Sequence, residues 1–247
     1  RSSDLYITYV TGLLKGDLGT SLRTKRPVAV EVSNRYANTA KLTLLALAWS
    51  TIVGVLLGVW SGRHRSRWQD YTGMTLAVSG ISLPSFWVGF MLIMVFSVNL
   101  KWFPTTGADS LKSLVLPSIA LGSSIAAIIA RFTRSSIIEV LKDDYIRTAR
   151  AKGLRERVVV WKHAFRNAMI SVVTVVGLQF GFLLGGSVVT ESVFAFPGLG
   201  SLLVESVNYR DYPAIQSLIL IFSLHFVVIN LIVDVLYAVL NPEIQLD

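Results

Sequence analysis

Thr72-Gly73-Met74-Thr75-Leu76-Ala77-Val78-Ser79-Gly80-Ile81-Ser82-Leu83-Pro84-Ser85-Phe86-Trp87-Val88-Gly89-Phe90-Met91-Leu92-Ile93-Met94-Val95-Phe96-Ser97-Val98-Asn99-Leu100 runs for 29 residues without a charged side chain. As one helix it would measure about 43 Å. The hydrocarbon core of a bilayer is ~30 Å thick and needs about 20 apolar residues to cross. The stretch must therefore tilt, break or protrude. Ser79-Gly80 and Pro84 mark the expected break, because proline removes a backbone donor and clashes with the preceding turn.

Four more uncharged runs occupy 42–62, 113–130, 167–190 and 212–233. Lys41 and Arg63 flank the first, and Pro117 stands near the start of the second, where a first-turn proline is tolerated. The third is rich in glycine (Gly177, Gly181, Gly185, Gly186), which lets neighbouring helices approach closely. Hydrophobic residues make up 53% of the chain and charged residues 15%, with a mean hydropathy of +0.59; ordinary soluble domains carry roughly 25% charged residues. So little polar surface cannot cover a soluble globule. The reading is an all-α, polytopic transmembrane bundle with five visible spans.

The net charge of +8 is not the footprint of a nucleic-acid binder, because the basic residues cluster in loops between apolar runs, where orientation signals belong. The loop after the first run holds Arg63, Arg65 and Arg67, and 131–166 holds ten Lys/Arg against four acids. The alternate loops hold Lys101, Lys112 and Arg210. Thirteen against three places the first set in the cytoplasm. The segment before Leu42 then lies outside despite its seven Lys/Arg, which calls for a further span upstream of Arg1, six spans in all, with both termini inside. With no cysteine, disulfides and thiolate metal sites are excluded.

The polar island within 131–166 reads as a short helix. Asp143 or Asp144 can cap it, and Tyr145, Thr148/Ala149 and Lys152 fall on one face. Gly153 suits the left-handed position that ends a helix, and Leu154 the contact just beyond. Ala149 and Ala151 leave a smooth surface ringed by Arg147, Arg150 and Lys152. Two readings fit: a helix docking into a groove of a soluble partner, or one lying on lipid headgroups. Its apolar side is too thin for strong membrane anchoring, which favours the partner.

On the outer side, Phe194-Ala195-Phe196-Pro197-Gly198-Leu199-Gly200 forms an apolar loop punctuated by proline and glycine. It is either a re-entrant element over the mouth of a pathway, with Phe194 and Phe196 as plugs, or a loop packed on its own helix ends. Gln179, a polar group in mid-span, is a candidate for lining a pathway or for bonding between helices. His64, His163 and His225 lack metal-ligand spacing, so no metal site is expected. His225 reads as a packed, hydrogen-bonded side chain, and Asp234 as a helix-packing acid beside an Arg. There is no phosphate loop and no Ser-His-Asp grouping, hence no catalytic residue.

Asp144-Tyr145-Ile146-Arg147-Thr148-Ala149-Arg150-Ala151-Lys152-Gly153-Leu154, followed by Lys162-His163-Ala164-Phe165-Arg166-Asn167-Ala168, resembles the coupling segment of permease subunits in ABC importers of the peptide, nickel and glutathione group. Further pieces match along nearly the whole chain: Gly16-Asp17-Leu18-Gly19 with Arg26-Pro27-Val28, Ala130-Arg131-Phe132-Thr133-Arg134-Ser135-Ser136, Glu191-Ser192-Val193-Phe194 with Pro197-Gly198-Leu199-Gly200, Arg210-Asp211-Tyr212-Pro213, and Asn230-Leu231 with Asp234 and Asn241-Pro242. Two departures stand out. Ser171 replaces the proline that usually follows Arg-Asn-Ala, and the outer loop from Lys101 to Lys112 is short, as in the glutathione and nickel members.

The resemblance implies the type I importer permease fold, with its first span missing upstream. It divides the chain into an external segment (1–37), a transmembrane permease domain (38–242) that includes the coupling loop (131–166), and a cytoplasmic tail (243–247). It assigns ATPase coupling to Asp144, Tyr145, Arg147, Thr148, Ala149, Lys152, Gly153 and Leu154, and an outer gate to Phe194, Phe196, Pro197, Gly198 and Gly200. Its implied partners are a second homologous permease, two ATPase subunits that bind ATP and Mg, an external solute-binding protein, and the lipid of a bacterial inner membrane. The implied solute is a dipeptide, oligopeptide, glutathione, or nickel or a metal chelate. The alternative is a secondary transporter or channel that needs no ATPase; such proteins normally carry ionisable residues within their spans, and here the runs are clean apart from Asp234.

Overall fold

The computed structural model describes residues 10–240 apart from 14 and 109. Among the described residues it is built of helices, with one isolated antiparallel bridge between Thr20 and Pro27. In chain order these are α1 (Val28–Arg63), α2 (Trp68–Ser82), α3 (Ser85–Leu92, continued as a π-helical segment, Ile93–Asn99), α4 (Leu111–Val140), α5 (Asp144–Ala151), α6 (Glu156–Val193), α7 (Leu199–Asn208) and α8 (Tyr212–Leu240). Four of them, α1, α4, α6 and α8, are long and apolar enough to cross a membrane, and α2 with α3 forms a pair bent by 100° that is apolar enough to be a broken span or a re-entrant element.

The 29-residue uncharged run breaks at Leu83-Pro84, with a bend of 100°. Leu83 is extended (φ −92°, ψ 127°), as the residue before a proline is forced to be. Ser79-Gly80, the other expected break, stays helical, since neither residue forbids the helix by itself. The remaining helices outrun their apolar stretches. The first begins at Val28, inside the segment read from sequence as external. The ends of α4 and α6 take up much of 131–166. Periodic polar residues continue a helix beyond the bilayer as readily as apolar ones do. Because α4 starts at Leu111, Pro117 lies in its second turn instead of its first. The α6 helix runs on through Ser171 without a break.

The central helix is α4, with 72% of its most apolar window buried, against 17% for α8. Gly54, Gly58 and Gly62 of α1 face it at every fourth residue. A Cβ on Gly54 would lie 2.7 Å from Ala126 O, and one on Gly58 would lie 2.5 Å from Thr133 Cβ. In lipid this close approach replaces the hydrophobic drive that water supplies to soluble cores. Unlike the glycines of α6, this stripe is not among the features expected from sequence. Of the α6 glycines, Gly177 admits Val233 and Gly181 admits Phe226, so they seat α8; Gly185 faces open space. The outward face of α8 carries Leu224, Val227, Leu231 and Val235 and offers apolar surface to lipid or to another subunit.

Candidate functional site

At one end of the bundle, α5 stands off the spans between two turns. The Asp143 carbonyl accepts from Ile146 N (3.1 Å) and Arg147 N (3.2 Å), but neither Asp143 nor Asp144 makes the expected side-chain cap. The Asp144 carboxylate instead accepts from Arg147 Nη1 at 3.2 Å. The C-terminal end matches the sequence reading. Gly153 has φ +78°, its N–H reaches Arg150 O (2.9 Å), and Leu154 N–H reaches Ala149 O (3.4 Å), the paired bonds of a Schellman turn.

Ile146 and Ala149 are buried against Val159 and Ala164, beside Val140 and Leu141. Ala149, grouped from sequence with a face that meets a partner, thus packs inward on its own chain, because the helix needs an apolar stripe to hold it to the spans. Asp144, Tyr145, Arg147, Thr148, Lys152 and Leu154 remain exposed. Two polar ties fix the helix. Asn167 Nδ2 of α6 donates to the Tyr145 hydroxyl (2.6 Å), and Arg150 forms a two-point pair with Glu156 (Nε–Oε2 3.2 Å, Nη2–Oε1 2.8 Å). Partial burial, together with the nearby Asp143 charge, pushes the Tyr145 hydroxyl above its ordinary pKa, while the Glu156 carboxylate raises that of Arg150.

Next to this end lies an ion pair on a buried carboxylate, which was not among the features expected from sequence. Asp70 of α2 receives Arg134 of α4 at 2.6 Å (Nε–Oδ1) and 2.7 Å (Nη2–Oδ2). It also receives the Ser61 hydroxyl and, at 3.0 Å, the Ser66 N–H. One carboxylate therefore joins α1, the α1–α2 turn, α2 and α4. The signal was available, in a lone acid at the edge of a long uncharged run, since an acid so placed needs a partner.

At the opposite end the outer loop closes on a second buried carboxylate. Glu191 near the end of α6 accepts from the Thr39 hydroxyl of α1 (2.7 Å) and from Ser201 N–H in the first turn of α7 (3.0 Å). The Thr39 oxygen in turn accepts from Leu199 N–H (2.8 Å), and Asn38 Nδ2 donates to Pro197 O (2.8 Å). The otherwise unpaired N–H groups that open α7 are thus satisfied from α1 and α6. Gly198 and Gly200 are required by proximity. A Cβ on Gly198 would fall 2.3 Å from Glu191 Oε2, and one on Gly200 would fall 2.5 Å from Val188 Cα. Phe194 and Phe196 are buried in the central core with Leu42, Leu116 and Leu183, so here the loop packs on its own helix ends.

The segment before α1 is clamped to the same end. Asp211 accepts from the Ser21 hydroxyl, from Leu22 N–H (3.0 Å) and from Arg23 N–H (3.4 Å). Glu205 of α7 pairs with Arg23 (2.9 Å) and Arg35 (3.4 Å). Burial alone would raise the pKa of both carboxyls. The donors on Asp211 and the two guanidinium groups on Glu205 outweigh it and hold both below their ordinary values. His225 is hydrogen-bonded as expected, to Tyr36 Oη (2.6 Å) and Ile221 O (2.8 Å). Asp234 is exposed and pairs with no described residue, so the expected Arg neighbour is absent there. Asn241-Pro242 lies outside the described residues. Among the described residues no group of His, Cys, Asp or Glu could hold a metal ion.

A multi-pass helical bundle with a charged, rigidly tied helix at one end and a sealed loop at the other has the architecture of a transport subunit. Residues 54–246 match the family described as binding-protein-dependent transport system inner membrane component. The chain belongs to that family, and it is a permease subunit of an ABC importer. It is 55% identical over 237 residues to the glutathione transport system permease protein GsiC of Salmonella choleraesuis (strain SC-B67), covering 96% of this chain and 78% of the relative. The protein of the same description from Escherichia coli (strain K12) is 56% identical over the same shares. Among solved structures, the MetNI methionine ABC transporter in inward-facing conformations matches with a TM-score of 0.73 at 18% identity, covering 85% of this chain and 96% of the other. An amino acid ABC transporter with histidines matches at a TM-score of 0.67 and 16% identity, covering 85% and 94%. These two bear on the fold alone.

Proposed function

We propose that this chain forms half of the membrane path of a bacterial inner-membrane importer for glutathione or a closely similar small peptide. Its partners are a second related permease, two ATPase subunits that hold ATP and Mg, and an external binding protein. The identity to glutathione permeases along nearly the whole chain supports the substrate class. The observation that carries the coupling role is α5. Its charged face is open, while Ile146, Ala149 and the Asn167–Tyr145 bond tie it to α6.

A helix so tied moves with its span. When ATP closes the ATPase dimer, a groove that grips Asp144, Tyr145, Arg147, Thr148, Lys152 and the Gly153-Leu154 turn moves α5 as a lever. The spans then rock between two packings. Phe194 and Phe196, held by Pro197, Gly198 and Gly200, seal the outer end in the resting packing and move when the loaded binding protein docks.

The test is uptake of labelled glutathione by proteoliposomes that hold the whole complex. Uptake should stop when ATP hydrolysis is blocked and persist when the proton gradient is collapsed with ATP maintained. Uptake driven by an ion gradient without ATP would favour a secondary transporter instead.

A further inference from the structure

Gln179, Ser124 and Ser85 come from three different helices and converge on one cavity of about 150 Å³. Gln179 lies in the middle of α6, Ser124 in the middle of α4, and Ser85 is the first residue of α3, just past the 100° break. Leu121, Ile125, Phe182, Leu183 and Gly186 complete the wall. None of the three polar side chains makes a hydrogen bond to any described residue, whereas Ser118 and Ser123 of the same α4 bond back to their own helix.

Leaving three such groups unpaired at membrane depth is costly. Irregular backbone like the Leu83-Pro84 break is tolerated at that depth only against protein or beside a water-filled cavity. The cavity has room for several waters. It is bordered by Phe182, a residue that is 62% exposed, so it reaches the surface of this subunit.

We infer that this cavity is a solute-contact site on the transport path, holding one carboxylate or amide group of a peptide-like solute. The inference rests on the importer reading above. A primary amide and two hydroxyls supply neutral donors and acceptors that match a carboxylate or peptide group. They hold it without the tight grip that a buried ion pair would impose on a solute that has to leave. The cavity is smaller than a tripeptide, so it takes one end of the solute, and the rest extends past Phe182.

The chain has no cysteine, so the test can be read on this subunit directly. Gln179→Cys and Ser124→Cys variants, in the complete complex, are treated with a charged, membrane-impermeant thiol reagent in each nucleotide state, and labelling of this chain is read by mass spectrometry. Leu231→Cys, on the outward face of α8 and away from Phe182, is the control. Both cavity variants should label in at least one state, the control should not, and glutathione delivered on its binding protein should slow the labelling. Gln179→Leu, nearly isosteric and apolar, should cut glutathione imported per ATP hydrolysed by about tenfold, the order of one lost buried hydrogen bond. Gln179→Glu should cut it further by repelling the carboxylate. Normal membrane insertion and recovery of the assembled complex at wild-type yield in both variants exclude misfolding.

If neither cavity variant labels in any state, the cavity is dry packing and the inference is overturned. Labelling without protection, combined with normal uptake by Gln179→Leu, overturns it as well. Failure of the wild-type complex to import glutathione is a separate result that removes the substrate reading; accessibility of the cavity is measured without any solute.

Discussion

The two short helices at the ends of the bundle, α5 and α7, are fastened by opposite means. Only Ile146 and Ala149 of α5 are buried, its charges face outward, and it ends at a glycine whose φ is positive while nothing lies within 4 Å of where a Cβ would be. The first turn of α7 is driven onto a buried carboxylate, and its two glycines are there because Glu191 and Val188 leave no room. One glycine is needed for backbone angle and the others for crowding. A helix whose charged face is open keeps a surface that another protein can meet; a loop that packs onto its own helix ends gives its surface up to the core.

Substituting these glycines separates the two causes and should produce the largest effect. Gly200→Ala forces a Cβ against the Val188 backbone, which cannot yield as a side chain would, and it should lower stability by about 3 kcal/mol. Glu191→Ala leaves the Ser201 N–H and the Thr39 hydroxyl buried without acceptors and should cost a similar amount, about 3 kcal/mol. Gly153→Ala strains only one φ in open space, at about 1 kcal/mol, local to the α5 turn. Thermal melting of the purified complex ranks them. A Gly153 variant melting below a Gly200 variant would falsify the contrast.

Buried carboxylates stand at both ends, and Glu191 and Asp70 differ in kind. Glu191 has only neutral donors among its hydrogen bonds, whereas Asp70 meets a guanidinium. Asp70→Ala should cost about 2–3 kcal/mol, the low side for a broken buried pair, because the Arg134 side chain is partly exposed and water can reach it. An Asp70→Leu/Arg134→Met double variant should recover part of that loss. If the double variant is as unstable as the two single losses added together, the pair is not acting as a unit.

Much of this was legible in the sequence, because the membrane forces a strong pattern. Four of the five uncharged runs appear as long apolar helices and the fifth as a pair bent at Pro84, since apolar length and a missing donor are local properties. Gly153 was legible for the same reason. Contacts between distant residues were not. Asp211 and Ser21 lie 190 positions apart, and nothing at either site names the other. The inward turn of Ala149 depended on Val159 and Ala164 folding back beneath it. That Asp70 needs a partner is legible beside its uncharged run, but that Arg134 is the partner, and Ser201 that of Glu191, is not, because each carboxylate chooses its partner only after the helices have packed.

A smaller effect follows from acid. Asp211 and Glu205 are both held below their ordinary pKa in the folded state, so their stabilisation is fully present above the unfolded values of about 4. It is lost as the pH falls through the folded values. Between pH 7 and pH 5 the segment over residues 16–27 should therefore stay equally protected from hydrogen exchange. Below about pH 4 its protection should fall before that of α4. An Asp211→Asn variant should show weak protection at every pH. Equal loss across the segment and α4 would mean that the clamp has no separate stability.

The smallest structural effect should accompany a large functional one. Asp144 and Arg147 form an exposed pair one helical turn apart, with most of both side chains in solvent. Such a pair contributes within about 0.5 kcal/mol, so Asp144→Ala or Arg147→Ala should leave the melting temperature of the isolated permease nearly unchanged. If α5 is the face that the ATPase grips, both variants should nevertheless weaken recovery of the ATPase subunit on copurification, and more so as salt is raised. Ser135→Ala, at the solvent-facing end of α4, serves as the neutral control. Truncating Ile146 to Ala is the opposite case. It empties a buried position beneath the helix, so it should lower stability and loosen α5 from α6 while leaving the outward charges in place. Copurification that depends on Ile146 but not on Asp144 or Arg147 would mean that the position of α5 matters and its charged face does not, and the contrast between a presented helix and a sealed one would have to be redrawn.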